Sequence, residues 1–333
     1  MSIQLHGGDI YAFNRPILDF SASINPLGTP KSVMSAARES LENINKYPDD
    51  KCRALTAAIA QKEGVLPENI ICGNGAEELI YTILQALRPK RVLTVSPAFS
   101  EYEFAAKSVG AEIIKYTLDE KNGFCIEEDI LNYVKQADIT VICDPNNPTG
   151  TLADRELLKK ITENSAFTVI DKSFAAFCGK TEKITLNKSC AVLKSFTKMY
   201  AIPGLRLGYA AADGEIIKKI NAAKPRWSVS TPAQAAGLAA LKEEDFVKKS
   251  VEYINAEKEY FYKNFAELGI KFFKSDANFI LFKCSIPLYE VLLERDILIR
   301  DCKSFGLDGY YRTAVKMHSE NEALITVLKE CLQ

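Results

Sequence analysis

The chain has 333 residues, 47% of them hydrophobic and 26% charged, and this balance over this length excludes a disordered or fibrous protein. The length predicts one large domain with a smaller one attached. Its 42 basic and 43 acidic residues leave a formal net charge of −1, so no overall field draws it to nucleic acid or to an anionic membrane, and any anion it binds must be held by local groups.

The opening Met-Ser-Ile-Gln-Leu-His-Gly-Gly-Asp-Ile has no basic segment followed by an apolar run, and no stretch of about 18 apolar residues occurs further on, so neither secretion nor membrane insertion is expected. The nine cysteines, from Cys52 to Cys331, form no Cys-x-x-Cys pair and sit mostly in apolar runs such as Ile71-Cys72 and Ile142-Cys143. They read as reduced thiols of a cytoplasmic protein. With only His6 and His318 to help them, they lack the spacing of a zinc site, and no metal is expected.

Residues 1–30 are too few to fold alone and are expected to be an N-terminal arm packing on the smaller domain. From about residue 70, short apolar runs alternate with amphipathic stretches, as in βαβ units. Ile70-Ile71-Cys72 leads into Gly73-Asn74-Gly75, after which Leu79, Ile80, Ile83, Leu84 and Leu87 recur at helical spacing. Strands are predicted at 91–95, 111–116 and 140–143, with helices at 101–108 and 126–136 between them. Asp144-Pro145-Asn146-Asn147-Pro148-Thr149-Gly150 must be a turn. A helix over 155–164 and a strand over 167–170 ending at Asp171 follow, then a strand over 190–194 running into Ser195. After about residue 240 the pattern changes to a long helix over 246–268, strands at 270–273 and 279–282, a helix at 288–294, strands at 297–300 and 310–315, and a last helix. The reading is an α/β protein, with a large domain over 31–240 built on a mostly parallel, helix-covered sheet and a smaller α+β domain over 241–333. Ligands of such sheets lie beyond the carboxyl ends of the strands, where Gly75, Asn147, Asp171 and Ser195 fall.

Ser195-Phe196-Thr197-Lys198, followed by Gly204-Leu205-Arg206-Leu207-Gly208, resembles the Ser-x-x-Lys and Gly-x-Arg-x-Gly pattern of the fold-type-I pyridoxal 5′-phosphate enzymes of the class I/II aminotransferase superfamily. The resemblance implies that Lys198 carries the cofactor as a Schiff base and that Ser195 and Arg206 bind its phosphate. The chemistry agrees, because an amine must lose its proton to attack a carbonyl, and desolvation and cationic neighbours lower its pKa. The turn at 144–150 is similar to the family's Asn-Pro-x-Asn-Pro-Thr-Gly, which gives Asn147 a bond to the ring oxygen. Asp171 matches the aspartate that keeps the pyridine nitrogen protonated. Gly73-Asn74-Gly75-Ala76 resembles the loop whose amides, here those of Gly75 and Ala76, hold the phosphate at a helix N-terminus, with Glu77 and Glu78 expected to face away and cap the helix. Phe99 matches the aromatic stacked on the ring. Tyr47 matches a tyrosine that reaches the phosphate from the second subunit of a homodimer. Phe174 departs from the pattern, standing where many aminotransferases have a tyrosine.

His6-Gly7-Gly8-Asp9 and the segment Phe20-Ser21-Ala22-Ser23-Ile24-Asn25-Pro26-Leu27-Gly28 resemble threonine-phosphate decarboxylases of cobalamin biosynthesis. Ile299-Arg300-Asp301-Cys302 and Tyr311-Arg312-Thr313-Ala314-Val315 look like those enzymes and like histidinol-phosphate aminotransferases. The implied substrate is a small phosphorylated amino acid. Arg312 and Arg300 would take its carboxylate and phosphate, and His6, Asn25 and Asn278 would line the same pocket. Decarboxylation is the favoured reading and transamination the alternative. A regulatory protein that binds the cofactor without turnover stays open on fold alone. A dinucleotide-dependent dehydrogenase ranks below these, because Glu78 occupies the place of the third glycine of Gly-x-Gly-x-x-Gly.

Overall fold

The computed structural model describes residues 6–179 and 184–332. Thirteen strands are found among them: β1 (Leu18–Asp19), β2 (Ile70–Asn74), β3 (Arg91–Ser96), β4 (Glu112–Thr117), β5 (Ile139–Cys143), β6 (Thr168–Asp171), β7 (Cys190–Ser195), β8 (Leu207–Ala212), β9 (Lys271–Phe272), β10 (Phe279–Lys283), β11 (Ile297–Leu298), β12 (Arg300–Asp301) and β13 (Tyr310–Ala314). Seven form the main sheet in the order β2-β8-β7-β6-β5-β3-β4, parallel throughout except that β8 runs antiparallel to both its neighbours. The parallel strands therefore end along one edge, at Ser96, Cys143, Asp171 and Ser195.

Helices cover both faces of this sheet because successive strand residues point to opposite sides. Ile71, Val141, Leu193 and Ala210 pack under the helices Gly75–Leu87, Glu101–Ser108 and Gly214–Ala223. Ile70, Cys72, Tyr209 and Ala211 pack on the other side against Arg53–Glu63 and Thr231–Ala240. Sequence periodicity does not reveal β8, since Leu-Gly-Tyr-Ala-Ala-Ala has weak strand propensity. Its glycine instead lets a helix approach closely: a Cβ on Gly208 would lie 2.4 Å from the Ala76 nitrogen.

Two expected elements are altered. The helix anticipated at 126–136 is confined to Ile130–Val134. The Tyr116 hydroxyl donates to Asp129 at 2.6 Å and accepts from the Glu127 amide at 3.3 Å, which ties the segment into a turn on β4. The strand anticipated at 297–300 splits at Ile299, with β11 pairing to β1 and β12 to β13.

The C-terminal sheet has the order β12-β13-β10-β9 and packs with the helices Glu244–Glu267 and His318–Leu332 around Phe261, Phe265, Ile280, Phe282 and Leu328. Phe20 is buried in this same core. Its amide donates to Leu298 and its carbonyl accepts from Ala314, both at 2.8 Å. Five residues later the arm turns to the main sheet, where the Asn25 amide donates to the Lys198 carbonyl at 3.0 Å. Residues 18–25 thus lace the C-terminal sheet to the loop that carries Lys198. Replacing Phe20 by alanine is expected to cost about 3–5 kcal/mol by urea unfolding, as for other buried phenylalanines, and to open the arm to limited proteolysis before the rest of the chain.

Candidate active site

The site begins where β2 turns into the helix Gly75–Leu87. Gly75 has φ +82°, which a side chain tolerates poorly, and a Cβ there would meet the Arg206 guanidinium at 2.7 Å. Across the turn, a Cβ on Gly208 would fall 2.4 Å from the Ala76 nitrogen, so the helix start lies directly on β8. Asn74 gives this helix no side-chain cap. Instead Glu78 reaches back to accept from the Asn74 amide at 2.7 Å and from the Ser228 hydroxyl at 2.9 Å. The first helical amides and Arg206 form a pocket of donors suited to a phosphate dianion. Glu77 does not turn away as expected: its carboxylate takes the Arg206 guanidinium at 3.1 Å, because the two half-exposed side chains reach each other over the helix start. Ser195, at the end of β7, shares a 2.7 Å hydrogen bond with the Thr197 hydroxyl.

Lys198 follows in a tight turn, with its ammonium 5.4 Å from the centre of the Phe174 ring. Burial lowers its pKa; the Asp171 charge opposes this and the Arg206 charge assists. Asp171 closes β6 and is 4% exposed. Its Oδ1 accepts from the Ser173 amide at 2.9 Å and its Oδ2 from the Tyr102 hydroxyl at 2.8 Å. Phe99 meets the Tyr102 ring edge-on at 5.7 Å, and the His6 ring lies 5.7 Å from Phe99 on its other side. His6 Nε2 is 2.9 Å from Glu101, which also accepts from the Tyr81 hydroxyl at 2.6 Å.

The second wall comes from the C-terminal sheet. Arg312 on β13 is buried with its guanidinium 5.0 Å from the centre of Phe279, whose ring packs edge-on to Phe174. One terminal nitrogen donates to Asn147 Oδ1, the other to the Ser21 carbonyl at 2.7 Å, and Nε has no partner among the described residues. Burial pulls its pKa down to about 10, and the charge of Arg300 acts in the same direction. Arg300 stands opposite Arg312 in the β12–β13 register, is 1% exposed, and donates to the Ser304 hydroxyl at 2.6 Å. Asn278 is fully buried just before β10, and neither polar atom of its amide has a partner among the described residues.

Asn25 and Tyr47 stand apart from the residues above. Asn25 is buried with its amide group committed, donating to the Met199 carbonyl at 2.7 Å and the Ser250 hydroxyl at 2.8 Å and accepting from Leu27 at 3.1 Å. Its amide nitrogen is thereby committed to the back of the Lys198 turn, which it supports from behind. Tyr47 is 82% exposed and lies against Trp227 with ring centres 5.0 Å apart, not in the pocket of its own chain. Tyr102 was not singled out from the sequence; its place at the start of a helix, just past the aromatic at a strand end, was the available signal.

A helix N-terminus with an arginine beside it, a buried lysine and a strand-end carboxylate thus gather at one sheet edge. The model of the aminotransferase class I and II family matches residues 15–328. The chain belongs to this family. Its cofactor is pyridoxal 5′-phosphate, and it is an enzyme. It is 36% identical to the threonine-phosphate decarboxylase of Salmonella typhimurium over 95% of this chain and 91% of that protein. It is 31% identical to the histidinol-phosphate aminotransferase of Moorella thermoacetica over 96% of this chain and 86% of that one. The crystal structure of the histidinol-phosphate aminotransferase from Clostridium acetobutylicum superposes with a TM-score of 0.88 at 32% identity, covering 95% and 99% of the two chains.

The depressed lysine pKa has a measurable consequence. The folded state releases the Lys198 proton at lower pH than the unfolded chain, whose value is the ordinary 10.5, so the unfolded state holds more protons in that interval and stability rises with pH across it. Below the interval the buried charge is a constant cost. The cofactor-free Lys198→Met protein is therefore expected to be more stable than the wild type near about pH 7, with the gain shrinking toward about pH 10, as read by urea unfolding.

Proposed function

We propose that this enzyme decarboxylates O-phosphothreonine or a close relative of it. The observation that carries the reading is the pair of buried arginines on adjacent strands, Arg300 and Arg312, facing a site with His6 at its edge. Two buried guanidinium groups suit a substrate that brings two anions, a carboxylate and a phosphate. Histidinol phosphate itself brings only the phosphate, and in transamination the carboxylates would come from glutamate and 2-oxoglutarate, so the direct substrate assay separates the two. The match to a named decarboxylase at 36% identity supports the same choice.

The residues present fit the cofactor. The amides of Gly75 and Ala76, with Ser195 and Arg206, would hold its phosphate; Asn147 would donate to its ring oxygen, Phe99 would cover one face, and Asp171 would hold a proton on the ring nitrogen. When bound, pyridoxal 5′-phosphate supplies a sink for the electrons of a bond broken at the substrate α-carbon. Lys198 would carry the cofactor, and its amine, which burial biases toward the neutral form, would move a proton at that carbon. Arg312 sets the direction of the substrate carboxylate, and the placement of that group decides which bond breaks. Phe174 has no hydroxyl to give the ring oxygen, so Asn147 acts there alone. Its amide is oriented for this because Arg312 occupies its oxygen and leaves its nitrogen to donate.

Tyr47 would complete the phosphate site of a second copy. The exposed aromatic pair Tyr47–Trp227, with the exposed Leu41 and Ile44 nearby in the chain, supports a homodimer built over this surface. The nine cysteines are all free, which suits the reducing cytoplasm.

The deciding experiment supplies the holoenzyme with O-phosphothreonine, and separately with histidinol phosphate and 2-oxoglutarate. Carbon dioxide and aminopropanol phosphate are expected in the first case and no glutamate in the second. Glutamate without carbon dioxide would overturn the decarboxylase reading and favour transamination. Borohydride reduction should attach the cofactor to Lys198 and to no residue of Lys198→Ala. Arg312→Lys is expected to lower kcat/KM about tenfold to a hundredfold, the loss of one charge-assisted hydrogen bond.

A further inference from the structure

We propose that Tyr102 is a positioning residue for Asp171, fixing the direction in which the carboxylate presents itself to the ring nitrogen. The inference rests on the reading of Asp171 given above. Each carboxylate oxygen has two lone pairs, and one on each is already taken, by the Tyr102 hydroxyl on Oδ2 and the Ser173 amide on Oδ1. The remaining acceptor capacity has a set orientation. Turning the carboxylate about its bond to Cβ would break both hydrogen bonds and strand a phenol that is 1% exposed.

The phenol is suited to this task. Burial first, and then the Asp171 charge, hold its pKa well above the ordinary value of 10, so it remains a neutral donor wherever the enzyme works. It also meets the Cys143 thiol, on the strand residue paired with Asp171. Burial keeps that thiol protonated too, and it donates to the Pro145 carbonyl at 3.3 Å, so Cys143 adds no charge beside the carboxylate. Tyr102 is itself held from outside. Phe99 packs against its ring, and the neighbouring Glu101 is anchored by Tyr81 and His6. The segment 99–102 therefore carries one residue over the cofactor face and another behind the cofactor's acid partner.

The test uses the holoenzyme of Tyr102→Phe, which keeps the ring and removes the donor. The midpoint of the pH titration of the bound cofactor's visible absorbance is expected to move by about one unit, the size of one hydrogen bond to a charged group. The accompanying loss in kcat should be about tenfold, with KM within about twofold. Tyr102→His, which keeps a donor, should restore most of both. If Tyr102→Phe does not fold, 3-fluorotyrosine at position 102 strengthens the donor without changing its shape, and the midpoint should move the opposite way. An unchanged midpoint and unchanged kcat in either variant would overturn the inference while Asp171→Ala remains inactive with an altered spectrum. If Asp171→Ala itself leaves spectrum and turnover intact, the assignment of Asp171 falls, and this inference falls with it.

Discussion

The buried guanidinium of Arg312 is the constraint on which the rest of the site depends. A charge out of water must find acceptors, and it finds them in three stretches far apart in sequence: the Ser21 carbonyl in the arm, the Asn147 amide in the turn after β5, and the Phe279 face on β10. The arm, the main sheet and the C-terminal sheet thereby meet at one cation. Each contact also does something for the site. Asn147 is left with its nitrogen free to donate, Ser21 brings the N-terminal arm to the pocket, and Phe279 braces Phe174 beneath the Lys198 ammonium.

The opposite wall is set by the absence of side chains. Gly75 and Gly208 leave no room for a Cβ between the helix start and β8, so backbone amides become the lining. Lys198 stands between these walls, where burial favours the neutral amine and Asp171 limits the effect. Burial thus yields a lysine biased toward its neutral form at a position that would otherwise be costly for a charge.

Much of this was legible in the sequence, for identifiable reasons. The parallel strands show as short apolar runs because both faces are covered, and Gly75, Asn147, Asp171 and Ser195 could be placed because each stands at such a run's end. What escaped depends on tertiary contact. β8 is a strand because its alanines and glycine fit between β2, β7 and the helices above them, which local propensity does not report. Asn25 looked like a ligand for substrate, since an asparagine in a turn near the pocket carries no mark of the Met199 and Ser250 acceptors that occupy it. Nothing in the sequence around Tyr102 marks the Asp171 carboxylate that its hydroxyl meets. Glu77 was expected to avoid a phosphate site and instead holds the arginine of that site.

The arm also constrains the order in which the chain is completed. Leu18 and Phe20 are made early, yet their strand partners are Ile297, Leu298 and Ala314, nearly three hundred residues downstream. During synthesis those residues have no strand partner to dock on until residues 297–314 have left the ribosome. A large apolar side chain, Phe20, must wait exposed for that interval, and the docking that ends the wait carries Ser21 to Arg312 and Asn25 to the back of the Lys198 loop. Closure of the arm is then among the last long-range events of folding, and a truncated nascent chain, however well its main sheet has formed, has not yet assembled its active site.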